Sequence, residues 1–119
     1  VKESGPWPTE IRLSKDRRSL TITFDDGAVF ALPAELLRVE SPSAEVQGHA
    51  PGQRRIVAGK RNVEILAVQP VGSYAVRLRF DDLHDTGIFT WPYLRELGET
   101  GAAKMAAYEA ALAEKGLSR

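Results

Sequence analysis

Between Glu10 and Leu37 apolar and polar residues alternate in short runs separated by turn-forming residues. Ile11 and Leu13 lie among polar neighbours, and Lys15-Asp16-Arg17-Arg18 then makes a charged turn. Leu20, Ile22 and Phe24 alternate with Thr21 and Thr23, the period of two that a half-buried strand presents. Asp25-Asp26-Gly27 signals a tight turn, and Val29 to Leu32 returns as the partner strand. Pro33 opens a short helix carrying Leu36 and Leu37, because the first helical turn needs no amide donor there. Further on, Val63, Ile65 and Ala67 fall on one face of another strand. After Pro70-Val71-Gly72-Ser73 a strand runs from Tyr74 to Phe80, and Ile88 to Thr90 pairs back onto it. Pro92 opens a second short helix closed by Gly98. Thr100 then caps a last helix, Gly101 to Lys115, which stops at Gly116. Met105, Tyr108 and Leu112 form a narrow apolar stripe along it that docks on the sheet.

These elements predict an α+β fold: a mainly antiparallel sheet, curled into a partial barrel, with short helices after two hairpins and a C-terminal helix packed on the sheet. The predicted core is Ile11, Leu13, Leu20, Ile22, Phe24, Phe30, Leu32, Leu36, Val63, Ile65, Val68, Tyr74, Val76, Leu78, Phe80, Ile88, Phe89, Trp91, Leu94, Leu97, Tyr108 and Leu112. At 119 residues the chain reads as one domain, residues 1–119, burying roughly two-thirds of its unfolded surface. Residues 1–8 read as an extended arm with Trp7 tucked onto the body. Residues 41–61 read as a long loop, rich in Gly and Pro, with at most one helical turn at Ala44 to Gln47. Loops of this length inside a compact domain usually serve a function.

Two segments resemble each other. LTITFDDGAVFALPAELL (Leu20 to Leu37) and VRLRFDDLHDTGIFTWPYLREL (Val76 to Leu97) each read as strand, Phe-Asp-Asp, turn, short strand, Pro and a leucine-bearing helical turn. Hairpins often carry Asp at their turns, so chance resemblance stays open beside an internal repeat. Phe24 to Pro33 spans nine positions and Phe80 to Pro92 twelve, the extra residues falling in Leu83 to Gly87. If Leu83 takes the left-handed conformation natural to glycine, it is a stability liability.

Composition narrows the chemistry. There is no cysteine, which excludes disulfides, thiolate metal sites and cysteine nucleophiles. The N-terminus shows no apolar signal stretch and no run long enough to span a bilayer, so a soluble, cytoplasmic protein is expected, with no membrane partner. Net charge is zero, which favours self-association over capture by a polyanion. Arg54, Arg55, Lys60 and Arg61 cluster locally, but without interleaved aromatics they read as a solvated loop, so nucleic acid is not an expected partner. The two histidines, His49 and His84, together with Asp82 or Asp85, make the ligand set of a mononuclear metal site if the loop and the turn meet. Two exposed loop histidines are the plainer alternative. Glu35, Arg38 and Glu40 lead from the first helix towards the same loop, either framing a polar pocket or forming a solvated face. No nucleophile has a recognisable local context, and no phosphate-cradling or serine-elbow motif occurs.

The strings LPAELLRVESPSAEVQGH (Leu32 to His49) and VGSYAVRLRFDDLHDTGIFTW (Val71 to Trp91) resemble a family of small bacterial proteins similar to the N-terminal domain of gamma-butyrobetaine hydroxylase. The resemblance runs from about Pro8 to the end. It implies a domain that packs beside an oxygenase and holds a structural zinc through three cysteines and one histidine. Those cysteine positions fall on Ser41, Ser43 and Val46 and the histidine on His84, so the resemblance does not carry the zinc over. Leu83 also departs from it, since the family usually has glycine there. A related domain is fused to an iron–sulfur scaffold ATPase, which implies work beside iron–sulfur or oxygenase proteins.

The sequence thus predicts a non-catalytic binding or assembly module with no cofactor and no catalytic residue. Its partner is another protein or a second copy of the chain. Its candidate binding cluster is Arg38, Ser41, Ser43, His49, Asp82, His84 and Asp85. The alternative is a metal-binding enzyme or iron–sulfur carrier using His49 and His84.

Overall fold

The computed structural model describes residues 7–42 and 58–119. Among these, the chain forms β1 (Pro8–Leu13), β2 (Ser19–Phe24), β3 (Val29–Pro33), α1 (Ala34–Val39), β4 (Ile65–Val71), β5 (Ala75–Phe80), β6 (Ile88–Thr90) and α2 (Trp91–Glu114). The α+β architecture read from the sequence is present, with the strands parted into two antiparallel sheets of three, β1-β2-β3 and β4-β5-β6. The sheets curl around a common core without closing into a barrel. They are tied at one corner, where the Ile65 amide donates to the Arg17 carbonyl (2.7 Å) and Arg17 Nη1 donates to the Leu66 carbonyl (3.1 Å).

The alternation in β2 does what its period requires. Leu20, Ile22 and Phe24 point inward and are essentially inaccessible, meeting Ile65, Leu78, Phe80 and Phe89 from the second sheet. Each such side chain contributes about 1.5–3 kcal/mol through burial. Leu36 and Leu37 of α1 and Leu94 and Leu97 of α2 join the same core, while Val39, Tyr108 and Leu112 form a satellite cluster. Ile11, Leu13, Phe30, Val68 and Trp91 are half-buried against it.

Two residues expected in the core are on the surface. Tyr74 is 53% exposed because it lies outside the ladder, in the turn between β4 and β5, against Gly72. Ile88 is 42% exposed; it stands opposite Arg77 on the outer face, leaving its neighbour Phe89 to turn inward.

The C-terminal helices are also corrected. Instead of one ending at Gly98 and another starting at Gly101, α2 runs unbroken from Trp91 to Glu114. Thr90 is its N-cap, accepting from the Tyr93 amide (3.4 Å), with Pro92 in the first turn. Thr100 is no cap; its hydroxyl donates back to the Glu96 carbonyl (2.7 Å). Gly98 and Gly101 serve packing. A Cβ on Gly98 would lie 2.5–2.8 Å from the Phe30 ring, and one on Gly101 would lie 2.9 Å from Leu36 Cδ2. These glycines let α2 settle closely on β3 and α1.

Candidate functional site

The two Phe-Asp-Asp segments adopt one hairpin twice. Phe24 N donates to Ala28 O (2.8 Å) and Phe80 N to His84 O (2.9 Å). Gly27 N and Leu83 N each reach back 3.0 Å to Phe24 O and Phe80 O. The second aspartate closes an Asx turn in both: Ala28 N donates to Asp26 Oδ1 and His84 N to Asp82 Oδ1, each at 3.1 Å. The first aspartate clasps the residue that leads into the neighbouring strand. Trp7 N donates to Asp25 Oδ1 and Glu64 N to Asp81 Oδ1, each at 3.2 Å. Asp25 N and Asp81 N answer with bonds to Trp7 O (2.8 Å) and Glu64 O (2.9 Å). The internal repeat is therefore a repeat of hydrogen bonding as well as of letters.

The helices then exchange partners. Arg95, on the helix of the second unit, pairs with Asp26 in the turn of the first (3.0 Å), while its guanidinium stacks 5.2 Å and 5.4 Å from the Phe24 and Phe30 ring centres. Arg38, on the helix of the first unit, pairs through Nε with Asp82 in the turn of the second (2.8 Å). Arg95 holds the Asp26 carboxyl below the usual carboxylate range. Burial pushes the Asp82 carboxyl up, but Lys60 Nζ at 2.5 Å, the His84 amide and Arg38 outweigh it and bring it down to about 2.

The units differ where the second turn is longer. Gly27 has φ +92°, and its counterpart Leu83 has φ +73° with 75% of its surface exposed. Ala28 is replaced by His84, which turns inward to bury its ring beside Phe80. His84 Nε2 shares a hydrogen bond with Ser41 Oγ (2.9 Å), and Ser41 is fully buried. Gly87 lies so close to Ser41 that a Cβ there would overlap the hydroxyl. The glycine is required by that contact.

Of the sequence-predicted cluster, Arg38 and Asp82 meet directly, as do Ser41 and His84, and the Asp82–His84 turn joins the two pairs. Asp85 is exposed and makes no hydrogen bond or ion pair among the described residues. Ser43 and His49 lie outside the described residues, as does Val46. Positions 41 and 84, which the resemblance assigns to a zinc, do converge. Their chemistry does not fit that metal: a neutral hydroxyl and an imidazole are hydrogen-bonded to each other, and no group of three His, Cys, Asp or Glu converges among the described residues.

Sequence reasoning missed Lys60 and Arg119 in this region and left Glu35 open between a polar pocket and a solvated face. Lys60, read as part of a solvated basic cluster, is bound to Asp82. Glu35 is buried and takes both nitrogens of a fork from Arg119, Nε at 3.0 Å and Nη2 at 2.7 Å. Nothing in the local sequence pairs residues 35 and 119, although the apolar neighbours of Glu35 hinted at burial. A cavity of about 230 Å³ opens beside these groups, lined by Gly59, Lys60, Arg61, Asn62, Val63, Asp81, Asp82 and Arg119. No helix among the described residues is long and apolar enough to cross a membrane.

The model of a family described as gamma-butyrobetaine hydroxylase-like, N-terminal, matches residues 11–95. No curated protein matches the chain. Among solved structures, one determined in solution by NMR is 47% identical over 96% of this chain and 90% of its own, with a TM-score of 0.83. A second NMR structure is 44% identical over 100% of this chain and 89% of its own, with the same TM-score of 0.83. A crystal structure of a protein of unknown function from Acidithiobacillus ferrooxidans, assigned to the DUF971 family, is 45% identical over 76% of this chain and 91% of its own, with a TM-score of 0.64.

Proposed function

Given that this chain belongs to the gamma-butyrobetaine hydroxylase-like N-terminal family, we propose that it is a non-catalytic docking module whose contact point on another protein is the turn from Leu83 to Gly87. The observation that carries this reading is Leu83 itself. The first repeat shows what the hairpin needs at that position, a glycine at positive φ. The second repeat puts a leucine there and leaves it mostly exposed, so the residue costs stability and gains little from the core. Strain kept at an exposed apolar tip is a mark of contact with something outside the chain. The polar groups beneath the tip are occupied in holding it: Asp82 binds two cations and the His84 amide, and the His84 ring is committed to Ser41. They make a rigid base rather than a set of reactive groups. The family's description, an N-terminal region like that of a hydroxylase, agrees with a domain that works beside another protein.

A photo-crosslinking amino acid placed at position 83 in the native cell tests this, with the same amino acid at the repeat-related position 27 as the control. The expected result is a discrete adduct from position 83 only, whose purified partner binds the Leu83→Ala protein at least tenfold more weakly. Adducts of equal yield and pattern from both positions would overturn the docking role of the second turn.

A further inference from the structure

We infer that the open edge of β1 pairs with the same edge of a second copy of this chain, joining two three-stranded sheets into one. β1 lies at the rim of its sheet, with β2 on one side and no strand on the other among the described residues. Its bonding to β2 is set by Ser14 N, which donates to Ser19 O (3.0 Å), one step beyond the Leu13–Leu20 pair. Antiparallel pairs alternate between bonded and unbonded. Arg12 and Glu10 therefore bond to Thr21 and Thr23, while Ile11 and Leu13 turn their N–H and C=O groups towards the open edge. Such an edge is a template for another strand unless something blunts it. The other edges are blunted. β3 ends at Pro33 and β4 carries Pro70, neither of which has an amide hydrogen, and Arg17 Nη1 already takes the Leu66 carbonyl. β6 has only three residues.

Charge selects the occupant and the register. Ile11 and Leu13 pack against the core, so Glu10 and Arg12 share the outer face of β1, where they pair at 2.6 Å with more than half of each side chain exposed. A two-fold axis through Ile11 sets Glu10 of each copy opposite Arg12 of the other and lets the two Ile11 residues exchange both backbone bonds. Moving the axis one residue either way sets Arg12 against Arg12 or Glu10 against Glu10, and like charges directly opposite are destabilising. A half-step would oppose Ile11 to Glu10 or Arg12, whose backbone groups β2 already holds. The segment is thus complementary to itself, which favours a second copy over an unrelated strand. The register shift between Pro8 and Glu10 ends the ladder on one side. The pairing is therefore short, and the dimer is of the transient kind. The Leu83 tip lies in the turn between β5 and β6, on the other sheet, so neither contact depends on the other.

The test is sedimentation equilibrium of the full chain at low ionic strength, with amide spectra of the ¹⁵N-labelled protein over the same concentrations. The chain should pass from monomer to dimer with a Kd of about 1 mM or tighter, and the concentration-dependent shifts should centre on Ile11 and Leu13. Glu10→Arg and Arg12→Glu, both at exposed positions, should each keep a folded amide spectrum and weaken self-association at least tenfold. An equimolar mixture of the two variants should restore association, because each strand then opposes one of the other charge. A chain that stays monomeric at the highest concentration or a dimer that survives either variant would overturn the assignment. So would a mixture that associates no better than its components, or shifts centred away from β1.

Discussion

Replacing Leu83 by glycine should make this protein more stable, although it deletes an apolar side chain. The backbone there has φ +73°, where a side chain costs about 1–2 kcal/mol. Glycine removes that cost and loses about 0.5–1 kcal/mol of its own through greater freedom in the unfolded chain. The side chain is 75% exposed, so deleting it forfeits only about 0.5 kcal/mol of burial on the usual scale for leucine. The balance runs from about −0.5 to about +1 kcal/mol and centres on a small gain, which in a domain of this size moves the melting temperature by at most about 4 °C. Leu83→Ala separates the contributions, since alanine loses the side chain and keeps the strain. Thermal melts followed by circular dichroism should therefore rank glycine above leucine and leucine at or above alanine. A glycine variant that melts below the alanine variant would refute the argument, because the conformation would then carry no strain for glycine to relieve. The glycine variant should also be the more stable protein and the poorer docker, which a merely structural leucine would not produce.

Gly98→Ala should lower the melting temperature, against the gain of about 1 kcal/mol that alanine brings to a helix interior. The new methyl would press on a Phe30 ring held between Phe24 and Arg95, and overpacking of this kind costs about 1–3 kcal/mol. The acid limb of stability should depend on Asp82. Its folded pKa, about 2 against an ordinary 3.8, means that its contribution is complete above the unfolded pKa and is lost as pH falls from about 4 through 2. The shift is worth at most about 2.5 kcal/mol, and solvent screening reduces it to about 1. Urea denaturation of Asp82→Asn should show a deficit at pH 6 that closes by pH 2. Dialysis against a strong chelator should leave the circular dichroism and the melt unchanged, because Ser41 and His84 hold each other directly; a melt lowered by chelator and restored by zinc would contradict this.

Much of the fold was legible because short-range rules decide it. The alternation in β2 and β5 fixed their inward faces, and Phe-Asp-Asp marked both hairpins. Misreadings came where one letter serves two physical ends. Gly98 and Gly101 looked like helix punctuation, yet they are glycines because Phe30 and Leu36 leave no room for a Cβ. Ile88 was misplaced because it and Phe89 were both assigned to the core, although neighbours on a strand face opposite ways; Ile88 turns outward, as Val29 does in the first unit. At the candidate site the sequence named Arg38, Asp82, Ser41 and His84, but their pairing spans 43 or 44 positions and exists only after folding. The bond from Arg119 to Glu35 spans 84 and had no local signature.

The exchange of arginines between the two β-hairpin units bears on how the protein comes apart. Each helix secures the turn of the other unit, and the two three-stranded sheets share one apolar core. Melting either half exposes the core of the half that remains and strips a charged partner from its turn. Partial opening therefore saves neither half, and the free-energy surface has no stable ledge between native and unfolded states. Unfolding should be all-or-none, with calorimetric and van't Hoff enthalpies in agreement, and a segment carrying only one unit should remain a random chain even though it contains a complete hairpin and its helix.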